Sequence, residues 1–228
     1  MTKNELGNVA PLSIGSGKLE LTEELRDLLC STIDKETEES PSLNPMSAWT
    51  GDYRGFSDYH ARPEFAQVFE KIGVVVREYC WDLGINADKF NFHVVRAWGA
   101  KAAEKERIDI HNHCYAHLSL VYYPSAEDGM LIFSVDRPPN EIIPNLFVSD
   151  SYDSGIISPD APGVSCSIAY QPQDDMYVVF PAKTNHRTEP FEREGYSRYS
   201  VAVDIIMTLK EPRFNEGGVP NVDEWSTI

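Results

Sequence analysis

The segments FNFHVVRAW (residues 90–98), HLSLVYYP (117–124), GMLIFSV (129–135), SIAYQP (167–172), MYVVFP (176–181) and RYSVAVDIIMTL (198–209) decide the fold. Each is a short run rich in β-branched and aromatic residues and is set off by turn residues, so each reads as a strand. No helical periodicity intervenes between them. That excludes a doubly wound nucleotide-binding sheet, and neither a G-x-G-x-x-G nor a Walker-type loop occurs. So many strands carry many unpaired edges, and a closed or sandwiched antiparallel sheet of the jelly-roll type hides them most economically.

Toward the N-terminus the periodicity changes. LTEELRDLLCSTIDK (21–35) places Leu25, Leu28, Leu29 and Ile33 on one face, with Thr22 as N-cap. The polar stretch 36–45 reads as an exposed loop. From Arg62 to Leu83, Phe65, Val68, Phe69, Ile72, Val76 and Tyr79 recur at three- and four-residue intervals, which predicts a second helix. Helices followed by a series of strands make an α+β chain, with the N-terminal helices packed on one sheet. At 228 residues the expectation is a single domain over 1–228, with a helical extension over 1–45 and a jelly-roll core over 90–208.

Twenty Lys and Arg against 36 Asp and Glu give a formal charge of −16, which disfavours a phosphate-tracking surface, so no nucleic-acid partner is expected. No run of about 18 apolar residues occurs, and the first 20 residues lack the apolar stretch of a signal peptide. The expectation is a cytoplasmic protein without a membrane span. Cys30, Cys80, Cys114 and Cys166 show no C-x-x-C pairing, so neither a zinc ribbon nor a dithiol redox pair is indicated.

Three of the six histidines fall between Asp109 and Ser119, as His111, His113 and His117. If this stretch is extended, His111 and His113 project to the same face and two imidazoles can grip one metal. His186, just past the strand MYVVFP, is the candidate third ligand, aimed inward by a loop. Imidazoles with open positions suit Fe, Zn, Cu or Ni, so the ligands do not name the metal. On the strand that opens at Arg198, Arg198 and Ser200 share a face. A guanidinium beside a metal is what a dicarboxylate co-substrate needs, one end held by the fork and the other on the metal.

These pieces, His111-Asn-His113, Leu118-Ser119 through Tyr122-Tyr123, Gly129 through Phe133, Asp136-Arg137-Pro138, Phe180-Pro181, His186 and Arg198-Tyr-Ser200, resemble in order and spacing the 2-oxoglutarate and Fe(II)-dependent oxygenase family with an H-x-H and distant His motif, within the prolyl-hydroxylase-like superfamily. The similarity spans roughly residues 45 to 208. It implies a double-stranded β-helix, a cupin-like jelly roll, with iron on His111, His186 and His113. Water or Asp109 is the other candidate for the place of His113. It also implies 2-oxoglutarate on Arg198, with Ser200, Tyr123 and Ser119 beside it. The wider superfamily carries H-x-D or H-x-E here, so His at 113 leaves the iron one charge more positive.

By the same resemblance the expected activity is that of a non-haem dioxygenase using Fe(II), 2-oxoglutarate and O2, releasing succinate and CO2 while hydroxylating a C–H bond of a small-molecule or amino-acid-like substrate. His117, Trp98 and Arg137 are the candidate substrate contacts, and the stretch Pro138 to Val164 is read as a lid. Two rivals stand beside this. One is a cupin-like three-histidine dioxygenase or isomerase that needs no carboxylate clamp; the other is a metal-binding sensor without catalysis.

Overall fold

The computed structural model of the chain describes residues 12–135, 143, 149–158, 167–211 and 219–227. In chain order its elements are β1 (Gly15–Lys18), α1 (Glu23–Glu39), β2 (Trp49–Thr50), α2 (Ala66–Asp82), β3 (Phe90–Ala102), β4 (Leu118–Ser125), β5 (Leu131–Ser134), the short helix α3 (Ser149–Asp153), β6 (Ser167–Tyr170), β7 (Met176–Pro181), β8 (Asn185–Thr188) and β9 (Arg198–Leu209). The six strands read from the sequence are β3 to β7 and β9. The three others lack an apolar run of strand length.

The strands form two sheets, one ordered β1-β7-β4-β9-β3-β2 and the other β6-β5-β8, with antiparallel pairing throughout. A further segment lies along β8: His111 and His186 exchange both backbone hydrogen bonds at 2.9 Å, and Thr188 N–H donates to the Ile108 carbonyl at 3.0 Å. This is a double-stranded β-helix, as expected, and its α+β content follows from the two long helices laid on the larger sheet.

Period-two alternation divides the two faces of that sheet. On β9, Val201, Val203 and Ile205 join Leu29 and Ile33 of α1 and Val68, Ile72 and Val76 of α2 in one buried core. The alternate row, Arg198, Ser200, Ala202 and Asp204, faces the smaller sheet. Between the sheets Phe133 and Phe180 pack edge to face at 4.7 Å, with Leu131 and Val178 beside them, and close one end. The other end is open and forms a cavity of about 790 Å³.

Several local readings are corrected. Helix α1 starts as expected, with Thr22 Oγ1 accepting from Leu25 N–H at 3.4 Å, but Leu28 is 40% exposed and the buried stripe runs through Leu29, Ile33 and Glu36. Glu36 is tolerated inside because the Tyr59 hydroxyl and Arg62 Nη1 donate to it at 2.6 and 2.7 Å. The stretch from Arg62 opens as a 3₁₀ turn, Pro63–Phe65, before α2 begins. Most of the expected lid, together with Asp136, Arg137 and Cys166, lies outside the described residues.

Gly99 of β3 sits where α1 approaches the sheet. A Cβ there would stand under 3.0 Å from Ile33 Cγ1 and the Tyr59 hydroxyl, whereas one on Gly73 of α2 would meet nothing. Chemical denaturation of Gly99→Ala should show a loss of about 1–3 kcal/mol. Gly73→Ala, a helix-interior change in open space, should gain about 0.5–1 kcal/mol.

Candidate metal centre

The His111–His186 backbone bridge brings two histidines distant in sequence to the cavity floor, and His113 N–H, donating to the Ala182 carbonyl at 2.8 Å, fixes the third. One ligand atom from each of His111, His113 and His186 lies within 4.8 Å of the other two. The orientation of all three rings has one cause. The Nδ1 of His111 donates to the Asp109 carbonyl at 2.8 Å, that of His186 to the Thr184 carbonyl at 2.9 Å, and that of His113 to Asp204 Oδ1 at 2.5 Å. With each Nδ1 so occupied, Nε2 is left as a lone-pair donor on every ring.

Burial keeps His111 and His186 neutral. Desolvation, with His111 close by, pushes the His186 pKa down to about 3, and burial lowers that of His111 as well. Neutral imidazole is the form that binds metal, so these two rings fit a divalent borderline ion without first shedding protons. His186 is packed by Phe180 and Phe133, at 4.9 and 5.9 Å between ring centres. Trp98 stacks on His113 at 5.8 Å and lines the cavity.

Arg198 lies 2% exposed. Its Nη1 donates to the Gly129 carbonyl at 2.7 Å and its Nη2 to Thr188 Oγ1 at 3.0 Å, yet no carboxylate among the described residues forms an ion pair with it. Burial pushes this guanidinium below the ordinary arginine value. It stands just outside the cavity wall, which Thr188, Tyr123 and Ser200 supply at this point. Thr188 Oγ1 already accepts from Ile108 N–H at 2.8 Å and from Arg198, so its own proton is free to be given to a ligand. Buried Tyr123, its phenol pushed up to about 12 by desolvation, remains a donor. An enclosed cation with only neutral partners fits a carboxylate ligand.

Other expected residues fall elsewhere. The H-x-H stretch is a loop with one bridge rather than a strand, because His111 pairs with β8 only at a single position. His186 belongs to a short strand of its own, β8, after a turn from β7. His117 is exposed, accepts from Met207 N–H at 2.9 Å through Nδ1, and does not line the cavity. Ser119 lines the cavity, but its hydroxyl donates to Asp204 at 2.8 Å and is not free for a co-substrate. Asp109 turns outward to Arg107 at 2.8 Å, so it is no substitute for His113. Cys114 is exposed and outside the cluster.

Sequence reasoning misses Thr188, Tyr115 and Asp204. Only Asp204 leaves a trace, as an acid on the same strand face as Arg198 and Ser200. Among the described residues no helix is long and apolar enough to cross a membrane.

Residues 96–204 match the family described as "Putative 2OG-Fe(II) oxygenase", in keeping with the resemblance read from the sequence. No curated protein matches the sequence. Among solved structures, HygX from Streptomyces hygroscopicus with nickel and 2-oxoglutarate bound is similar at a TM-score of 0.54 and 13% identity over 92% of each chain. The non-heme alpha ketoglutarate dependent epimerase SnoN from nogalamycin biosynthesis gives 0.52 and 11%, over 85% of this chain and 78% of that one. An oxidoreductase of the 2OG-Fe(II) oxygenase family from Burkholderia pseudomallei gives 0.35 and 10%, over 50% of this chain and 44% of its own. At such identities the likeness is one of fold.

The histidine burial has a sign that can be checked on metal-free protein. A ring depressed below the unfolded value of about 6.5 contributes its full stability above that pH. The contribution is lost as pH falls toward the folded value of about 3 for His186, at about 1.4 kcal/mol per unit. Urea midpoints of the wild type should therefore fall more steeply from pH 6.5 to 4 than those of His186→Phe, which keeps the aromatic packing and removes the proton site.

Proposed function

We propose that the chain is an Fe(II)- and 2-oxoglutarate-dependent oxygenase of the matched family, holding iron on the Nε2 atoms of His111, His113 and His186 and the distal carboxylate of 2-oxoglutarate on Arg198. The observation that carries this reading is the buried guanidinium without a carboxylate partner among the described residues, in the same inter-sheet space as three convergent imidazoles. A three-histidine cupin without a co-substrate has no use for such a cation, and succinate release separates the oxygenase from an inert sensor. Nickel and 2-oxoglutarate are bound together in HygX, which supports the same pairing here.

Bound at this site, iron and 2-oxoglutarate with O2 supply oxidative decarboxylation to succinate and CO2, with the second oxygen atom available to a substrate C–H bond. The residues of the chain serve that chemistry by position. Arg198 offers its fork to the distal carboxylate, Thr188 and Tyr123 add hydroxyl donors, and Ser200 lies on the same strand face. Phe133 and Phe180 seal the closed end and keep water from the imidazoles. Trp98 and Arg96 form the wall toward the open end, where the substrate enters.

The cavity volume of about 790 Å³ exceeds what a five-carbon diacid fills and leaves room for a drug-sized or amino-acid-like molecule. Hydroxylation is the outcome we propose. Relatives of the same fold include a carbocyclase and an epimerase, so the fold alone does not select it.

Arginine is held in place by glycine: Gly129 has φ +81°, and a Cβ on it would overlap the Arg198 guanidinium. Two variants probe this arrangement. Arg198→Gln should raise the 2-oxoglutarate KM by about 30-fold or more, the 2–5 kcal/mol expected for losing one partner of a buried charge pair. Gly129→Ala should raise it in the same direction, and both should leave Co(II) affinity within about twofold. Succinate release measured across 2-oxoglutarate concentrations checks this. Turnover without 2-oxoglutarate, or an unchanged KM in Arg198→Gln, contradicts it and favours the cupin-like reading.

A further inference from the structure

Asp204 has a fully buried side chain, and four side chains converge on its two oxygens. Oδ1 accepts from His113 Nδ1 at 2.5 Å and from the Ser119 hydroxyl at 2.8 Å. Oδ2 accepts from the Tyr115 hydroxyl at 2.6 Å and from Arg96 Nη2 at 3.2 Å. The donors come from β3, β4 and the loop before β4, so three segments are tied to one carboxylate on the cavity-facing row of β9.

Such an arrangement is costly to build. A buried carboxylate must recover its desolvation through hydrogen bonds, and its single guanidinium partner is shared with Asp52 at 3.6 Å. Packing alone would be served as well by an apolar residue at this point of the strand. The three imidazoles also differ in a way that packing does not require: His111 and His186 give their Nδ1 protons to backbone carbonyls, and among the described residues His113 alone gives its proton to a carboxylate.

Three neutral imidazoles bring no negative charge to a divalent ion, whereas two histidines and a carboxylate bring one. Resting on the reading of His113 as a ligand, we infer that Asp204 supplies through that ring what the missing carboxylate ligand would supply directly. It is a positioning residue: it holds His113 in the Nδ1–H form with Nε2 toward the ion, and its charge makes Nε2 a stronger donor. Ser119, Tyr115 and Arg96 hold the carboxylate in turn. Ser119 is thereby a support for the metal site and not a contact for 2-oxoglutarate.

The test is a double-mutant cycle read by Co(II) titration calorimetry on the full chain, with wild type, Asp204→Asn, His113→Ala and the double variant. Asn keeps a carbonyl acceptor and removes the charge. Asp204→Asn is expected to weaken Co(II) by about 10–100-fold, with little further loss when His113 is already Ala, because the effect passes through that ring. Unchanged affinity in Asp204→Asn, or the same fold-loss in both backgrounds, overturns the inference while leaving the metal site standing. A wild type that binds no Co(II) overturns the metal assignment and this inference together. Should Asp204→Asn fail to fold, ¹⁵N imidazole spectra of the Zn(II)-loaded wild type decide. Protonated Nδ1 on His113 is expected, and metal on Nδ1 overturns the role of Asp204.

Discussion

Two backbone hydrogen bonds, exchanged between His111 and His186 at 2.9 Å, are the constraint on which the site depends. They close a segment that precedes β4 onto a strand that follows β7, and so bring together candidate ligands that the chain separates by most of the jelly roll. The smaller sheet supplies the place for this bridge, since β8 already pairs with β5 on its other side. Once the bridge is made, the side-chain directions at 111 and 186 follow, and each ring is turned by a carbonyl two residues earlier in its own segment. Little side-chain ordering is then left for a metal to impose, which is the sense in which the site is preorganised.

Strand β9 organises the rest. Its odd positions from Val201 to Ile205 are apolar and buried against α1 and α2, while its even positions carry Arg198, Ser200 and Asp204 toward the cavity. A single strand thus anchors the large sheet to the helices with one face and spaces a cation and an anion along the other. A slip of one residue in its pairing with β4 or β3 would exchange these rows, burying the charges under the helices. Stability and site geometry are therefore selected by the same register.

The architecture is legible in the sequence because its signals are local. Six strands announce themselves by β-branched and aromatic runs, and α1 and α2 by periodicity and the Thr22 cap. β1, β2 and β8 are not legible: GSGK and NHRT lack the apolar run that marks the equally short β5 and β6, β2 has two residues, and their pairing is fixed by partners distant in sequence. The candidate site is readable where residue type declares chemistry, in His111, His113, His186 and Arg198. It is not readable where a common residue acquires a role from its surroundings. Thr188 matters because Arg198 and Ile108 both use its oxygen, and Asp204 because His113 turns toward it. His117 shows the converse, since it is a candidate substrate contact by its nearness in sequence to His111 and His113, while past the turn at residues 114–115 it is exposed.

At the heart of the proposed site, three Nε2 atoms share one iron, with a buried guanidinium at the far end of a keto diacid. Crystals loaded anaerobically with Fe(II) and 2-oxoglutarate, with diffraction recorded on both sides of the iron absorption edge, test this most directly. The expected map has one anomalous peak at bonding distance from His111, His113 and His186, and a distal carboxylate on Arg198 and Thr188. Iron held by Asp204 or Asp109 in place of His113, or a diacid anchored on Arg96 at the open end, would contradict it.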